Sequence, residues 1–193
     1  MTNRPLIALL AAGRASRFGA DKLAAACGGM PLGAHAARAV AESGLPALCI
    51  TAPGPRPTWL PAEIPALPNP AAASGLGGSV ALAARAAAAC GASALVIHLA
   101  DMPCVPVALL RELAAAPGTA ACRYPSGRPG VPAKFPAARF AELAALTGER
   151  GAAALLADSE AVTLIACTAD DLADIDTPAA LARIEALLAA RRD

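Results

Sequence analysis

Short apolar runs of strand length alternate along this chain with longer alanine-rich stretches of helical length. Residues 6–12 form an unbroken apolar run and predict a first strand that flows into a Gly-rich turn. A helix is expected over about 31–42, with Pro31 in a first turn that has no use for the missing N–H. Residues 48–51 predict a second strand. Seven prolines stand between 52 and 70, which predicts an extended connection with a short edge strand near 63–67. The run Gly75-Leu76-Gly77-Gly78-Ser79 opens a helix to about residue 90, and 94–99 is the most strand-like segment. A helix near 105–116, a strand over 119–124 and a turn-rich segment over 125–132 follow. Helices at about 137–146 and 151–158, a strand over 162–167 and a helix from Pro178 complete the pattern.

Strands and helices in alternation predict an α/β fold of three layers, Rossmann-like, with a mostly parallel (mixed) central sheet covered on both faces. The 193 residues fit a single domain. The apolar fraction of 56% is largely alanine, which by count makes up about 29% of the chain and favours helices. A net charge of +1 removes the basic excess that wholesale binding to nucleic acid or a membrane surface needs. No stretch approaches the ~20 apolar residues of a membrane span, and the run 6–12 is too short for a signal core. The cysteines at 27, 49, 90, 104, 122 and 167 are scattered without a C-x-x-C pair, so they read as structural thiols in a reducing cytoplasm.

In a mostly parallel sheet, ligands sit beyond the carboxyl ends of the strands, which singles out the loops 11–22, 69–79 and 101–104. The first runs Leu10-Ala11-Ala12-Gly13-Arg14-Ala15-Ser16-Arg17-Phe18-Gly19-Ala20-Asp21-Lys22. Its glycines let the backbone turn its N–H groups toward a ligand, and Arg14, Arg17 and Lys22 add cations, the make-up of a phosphate cradle. No Gly-Lys-Ser/Thr follows, so it is not a P-loop; a plain strand-to-helix turn with solvated cations fits too. Asp101 directly follows the strand 94–99, where a carboxylate can hold Mg²⁺ against phosphates or cap the next helix. Asp174-Ile175-Asp176-Thr177-Pro178 combines a sound helix start at Thr177-Pro178 with two further carboxylates.

Together these segments resemble the molybdenum-cofactor nucleotidyltransferase group of the nucleoside-triphosphate transferase family. The resemblance runs through Leu10–Gly13, Arg17-Phe18-Gly19, Lys22, Asn69, Gly75–Ser79, Leu99–Pro103, Gly130-Val131-Pro132, Leu146–Gly151 and Asp174–Pro178, nearly the whole chain. It implies a nucleotidyltransferase fold, with a nucleotide-binding half over about 1–105 and an acceptor-binding half over about 106–193. It implies that Leu10, Ala11, Ala12 and Gly13 meet the base and triphosphate. Asn69, Gly78 and Ser79 would seat the base and sugar, Arg17 and Lys22 would neutralise phosphates, and Asp101 and Asp176 would hold Mg²⁺.

The implied reaction moves CMP from CTP to molybdopterin-bound molybdenum cofactor and releases pyrophosphate. The resemblance also implies a molybdenum hydroxylase apo-enzyme as a further partner. Alternatives are GTP in place of CTP, another phosphorylated acceptor, or a non-catalytic nucleotide-binding factor that delivers the cofactor. GTP-using members typically read Leu-Ala-Gly-Gly; here the Ala12 methyl narrows the base pocket toward cytosine, a preference of about 1–3 kcal/mol. The chain departs from the family at Val131, where His is frequent, and at Glu149, where Asp is common. Outside these motifs, His98 reads as a hydrogen-bonded core or crevice-edge histidine and His35 as facing water. Cys104 has nothing nearby to mark it as a nucleophile, and Lys134 and Arg123 either touch an anionic acceptor or form a solvated face.

Overall fold

The computed structural model describes residues 3–13, 22–157, 159, 161–175 and 178–190. Strand β1 (Leu6–Ala11) is followed by a hairpin of β2 (Ala26–Cys27) and β3 (Met30–Pro31), then helix α1 (Leu32–Glu42). Strands β4 (Ala47–Thr51) and β5 (Ala66–Pro68) precede α2 (Leu76–Ala89) and β6 (Ala94–Leu99). The second half carries α3 (Val107–Ala115), β7 (Ala120–Arg123), β8 (Pro129–Pro136), α4 (Phe140–Ala144), α5 (Ala152–Ala157), β9 (Thr163–Ala166) and α6 (Pro178–Ala190).

Seven strands form one sheet in the order β5-β4-β1-β6-β8-β7-β9. All neighbours are parallel except at β8, which runs antiparallel to both β6 and β7. Side-chain alternation sorts the apolar residues to two faces. Ile7, Leu9 and Val96 pack with Ala36, Val40 and Leu110 of α1 and α3. Leu10, Leu95, Ile97 and Phe135 pack with Val80, Ala84, Leu143 and Leu156 of α2, α4 and α5. A smaller cluster joins Cys27, Leu32, Cys104 and Ile175 to Ile184 of α6. The small alanine methyls on α2 (Ala83, Ala84, Ala87) let that helix lie close on the sheet. Among the described residues, no helix is long and apolar enough to cross a membrane.

Two elements differ from the sequence reading. The segment 125–132 is not all turn: the chain reverses over Tyr124–Gly127, and Pro129 already starts β8, a strand interior to the sheet. Its three prolines sit where a ladder can do without an N–H. Pro129 and Pro136 pair at strand ends, and Pro132 lies in the irregularity where register jumps from Ala121↔Ala133 to Cys122↔Gly130. The β2–β3 hairpin was not foreseen either. Gly28 and Gly29 form its two-residue loop with φ of 56° and 87°, the left-handed pair such a turn requires. Smaller shifts affect the edge strand, which is Ala66–Pro68, and the helix expected over 137–146, which is a 3₁₀ turn (Ala137–Arg139) followed by α4.

Candidate active site

Parallel pairing delivers the ends of β1, β4 and β6 side by side: Leu10 is in register with both Ile50 and Leu99, and Ala11 with Thr51. The ladder extends one step past β6, where the Ala100 N–H donates to the Leu10 carbonyl at 3.0 Å. Ala12 and Gly13 therefore leave the sheet next to Asp101. Ala12 is buried on the α2 face of the sheet, whereas Gly13 is exposed and a side chain built there would meet nothing within 4 Å.

The Lys22 ammonium donates to Asp101 Oδ2 at 2.8 Å. Lys22 opens the short 3₁₀ turn Lys22–Ala24, so the first loop and the end of β6 meet across 79 residues of sequence. The lysine side chain is 11% exposed and the aspartate 26%, so the carboxylate is the more open member of the pair. On its far side the Ile175 N–H donates to the Asp101 carbonyl at 3.2 Å, which brings the exposed Asp174 to the same end of the sheet. Arg17 and Asp176 lie outside the described residues.

Asn69 and Ser79, expected to seat the base and sugar, bond to each other. The Asn69 amide Nδ2 donates to Ser79 Oγ at 3.0 Å, and Oδ1 accepts from the Ala71 N–H at 3.0 Å. Both are only 3% exposed, so these side chains organise the β5–α2 loop. Gly78 is half-buried, and an added Cβ there would sit 3.6 Å or more from its neighbours. Gly75 and Gly77 are different. A Cβ at Gly75 would fall 2.4 Å from the Gly148 carbonyl oxygen, and one at Gly77 2.8 Å from the Thr147 and Arg150 carbonyls. The Gly77 N–H donates to Gly148 O at 2.9 Å. The β5–α2 and α4–α5 loops thus interlock backbone to backbone.

Lys134 and His35 make structural contacts instead. Lys134 points from β8 to the α3 face, where its ammonium caps that helix by donating to the Ala116 carbonyl. It is 7% exposed, and burial holds its pKa below the usual lysine range. Cation and helix C-terminus are an expected match, so its role is structural. His35 does not face water: its Nε2 is 2.8 Å from the Cys27 carbonyl. Arg123 is exposed at the end of β7. The sequence reading missed Tyr124, whose hydroxyl donates to the Val131 carbonyl at 2.8 Å. Burial first, then the Cys122, Asp174, Cys167 and Asp101 charges, push its pKa up to about 12.

The site's donors are hard oxygens. Among the described residues no three ligand side chains cluster into a cage. Mg²⁺ does not need one, since it keeps waters and binds through one or two carboxylates together with substrate phosphates. Asp101, with Asp174 at the same end of the sheet, fits that requirement.

The family match makes the protein a nucleotidyltransferase, built on a mixed sheet between two helical layers. The chain belongs to the MobA-like NTP transferase family, whose profile matches residues 7–163. No curated protein matches it at a significant level. A solved nucleotidyl transferase of Methanothermobacter thermautotroptrophicus superposes with a TM-score of 0.80 at 21% identity, covering 100% of both chains. The molybdopterin-guanine dinucleotide biosynthesis protein A of Archaeoglobus fulgidus gives 0.69 at 17% identity, covering 96% of this chain and 99% of the other. The 2-C-methyl-D-erythritol 4-phosphate cytidylyltransferase of Thermus thermophilus gives 0.66 at 21% identity, covering 98% and 100%.

Proposed function

We propose that this nucleotidyltransferase is a Mg²⁺-dependent cytidylyltransferase acting in the cytoplasm. It moves CMP from CTP to the phosphate of a molybdopterin-type cofactor that carries molybdenum, for delivery to a molybdenum hydroxylase apo-enzyme. The observation that carries the reading is the Lys22–Asp101 pair, 2.8 Å long, beside the Ala12–Gly13 exit from β1. It joins a phosphate-neutralising cation to a hard-oxygen donor where a triphosphate would lie.

In the reaction an acceptor phosphate oxygen forms a bond to the α-phosphorus of CTP. The bond from that phosphorus to the bridging oxygen breaks, and its electron pair leaves with pyrophosphate. The attacking phosphate is already ionised, so the protein's work is positioning and electrostatic stabilisation. Gly13 and Gly78 offer backbone that a nucleotide can approach, while Asn69 and Ser79 hold the β5–α2 loop in shape. Lys22, having three N–H donors, can hold Asp101 and neutralise a phosphate oxygen together, with Arg17 as the second cation. Asp101 and Asp176 are the residues to hold Mg²⁺, and when bound the ion supplies charge neutralisation of the phosphates. Residues 1–105 serve the nucleotide and 106–193 the acceptor.

Ala12 supports cytosine over guanine, because its methyl faces the α2 side of the sheet, the side to which Ser79 and Gly78 belong. Pyrophosphate release should therefore favour CTP over GTP by roughly 10-fold or more, and Ala12→Gly should narrow that ratio. A wild-type preference for GTP would overturn the cytidylyl assignment and leave the reaction class standing.

A further inference from the structure

Tyr124 is the chain's single tyrosine, and it leaves β7 at the crevice end of the sheet. Of the other aromatic residues, Trp59, Phe135 and Phe140 are buried in the core and Phe18 lies outside the described residues. Tyr124 alone among the described aromatics is half-buried. Its ring is clamped in two places. One face lies against Gly130, where an added Cβ would fall 2.4 Å from Cε2 and 2.7 Å from Cδ2. At its tip the hydroxyl is tied to the Val131 carbonyl at 2.8 Å. The glycine of Gly130-Val131-Pro132 is thus explained by the ring it accommodates. β6 and β7 both run antiparallel to β8, so the ring stands at the end of the sheet that carries Asp101.

A clamped ring loses little freedom when a ligand settles on it, and every planar heterocycle has a face to offer it. We infer that Tyr124 is a specificity-determining residue of the acceptor half: its ring is a stacking platform that selects acceptors carrying a planar heteroaromatic ring. This inference rests on the nucleotidyl-transfer reading and deepens its acceptor side. The phenol stays protonated and bonded to Val131, so it contributes a surface and transfers no proton.

The test uses a fluorescent pterin without a phosphate as probe, and CTP as control. Wild-type protein should quench the pterin emission. Tyr124→Leu should weaken pterin binding by about ten-fold or more, the scale of one lost base–aromatic stack. Tyr124→Phe, which keeps the face, should stay within about three-fold, and CTP affinity should hold in both variants. Because the chain has one tyrosine, ring-labelled protein gives one set of tyrosine signals, and pterin should shift it where inorganic phosphate does not. This measurement needs no variant to fold. Unshifted tyrosine signals at saturating pterin, or equal pterin binding by folded Tyr124→Leu, would overturn the inference. If CTP itself fails to bind the wild type, the fault lies with the nucleotidyl-transfer reading; if CTP binds and pterin does not, it lies with Tyr124.

Discussion

His98 puts a polar ring into an apolar layer. It sits on β6 in register with Leu9, is fully buried, and neither ring nitrogen finds a hydrogen-bond partner among the described residues. The sequence reading expected a hydrogen-bonded histidine, because a buried imidazole ordinarily has a partner. Composition cannot reveal whether a neighbour supplies one. Burial lowers its pKa to about 3 from an ordinary 6.5. The unfolded chain therefore binds a proton on this residue below about pH 6.5 that the folded chain refuses. Stability from this site is complete above that pH and falls as pH drops toward 3, by about 1.4 kcal/mol per unit. His98→Leu, which swaps an unsatisfied polar ring for an apolar side chain, should raise neutral-pH stability by about 1–3 kcal/mol and flatten the acid limb. Urea midpoints measured from pH 4.5 to 8 check both; an unchanged acid slope in the variant would refute this account of His98. Lys134 teaches the converse lesson. Its charge suggested a ligand contact, but its position in β8 turns it to the C-terminus of α3.

At the scale of elements, the entry to α2 separates glycines needed for packing from a glycine with room beside it. Gly77 lies against the Thr147 and Arg150 backbone, whereas Gly78, one residue on, has room for a methyl. Alanine inside a helix is favoured over glycine by about 1 kcal/mol. Gly78→Ala should therefore melt at or above the wild-type temperature yet bind CTP several-fold more weakly, if the nucleotide approaches that backbone. Gly77→Ala should lose about 1–3 kcal/mol, because the helical gain is outweighed by overpacking against atoms that cannot swing aside. Melting curves and CTP titrations of the pair decide it; tight CTP binding by Gly78→Ala would move the nucleotide away from α2. None of this could be read from Gly75-Leu76-Gly77-Gly78-Ser79, since the contacts come from the Thr147–Arg150 loop in the other half of the chain. Strand β8 was hidden for a related reason. Prolines argue against an interior strand unless the register is known, and only the register shows that they sit at its ends and in its irregularity.

The whole molecule was the most legible level. Regular alternation of apolar runs with alanine-rich helices indicated a sheet with helices on both faces, and the structure has that arrangement. That Asp101 and Lys22 are candidates was legible, from a place just after a buried strand and a place in a cation-bearing loop. Their direct contact was not, because it depends on how the first loop returns across 79 residues of sequence. The setting of Tyr124 was less legible still, since it comes from Gly130 across a hairpin. Asp101 is held by Lys22 on one flank and by the 173–175 segment on the other. The most direct test is pyrophosphate release from CTP with Mg²⁺ and a molybdopterin-type acceptor, comparing wild type with Asp101→Ala and Lys22→Met. Each variant should fold and bind CTP, yet lose about 10²–10³-fold in turnover, the scale of one lost electrostatic stabiliser. Undiminished release by folded Asp101→Ala would mean that the chemistry happens elsewhere on this chain.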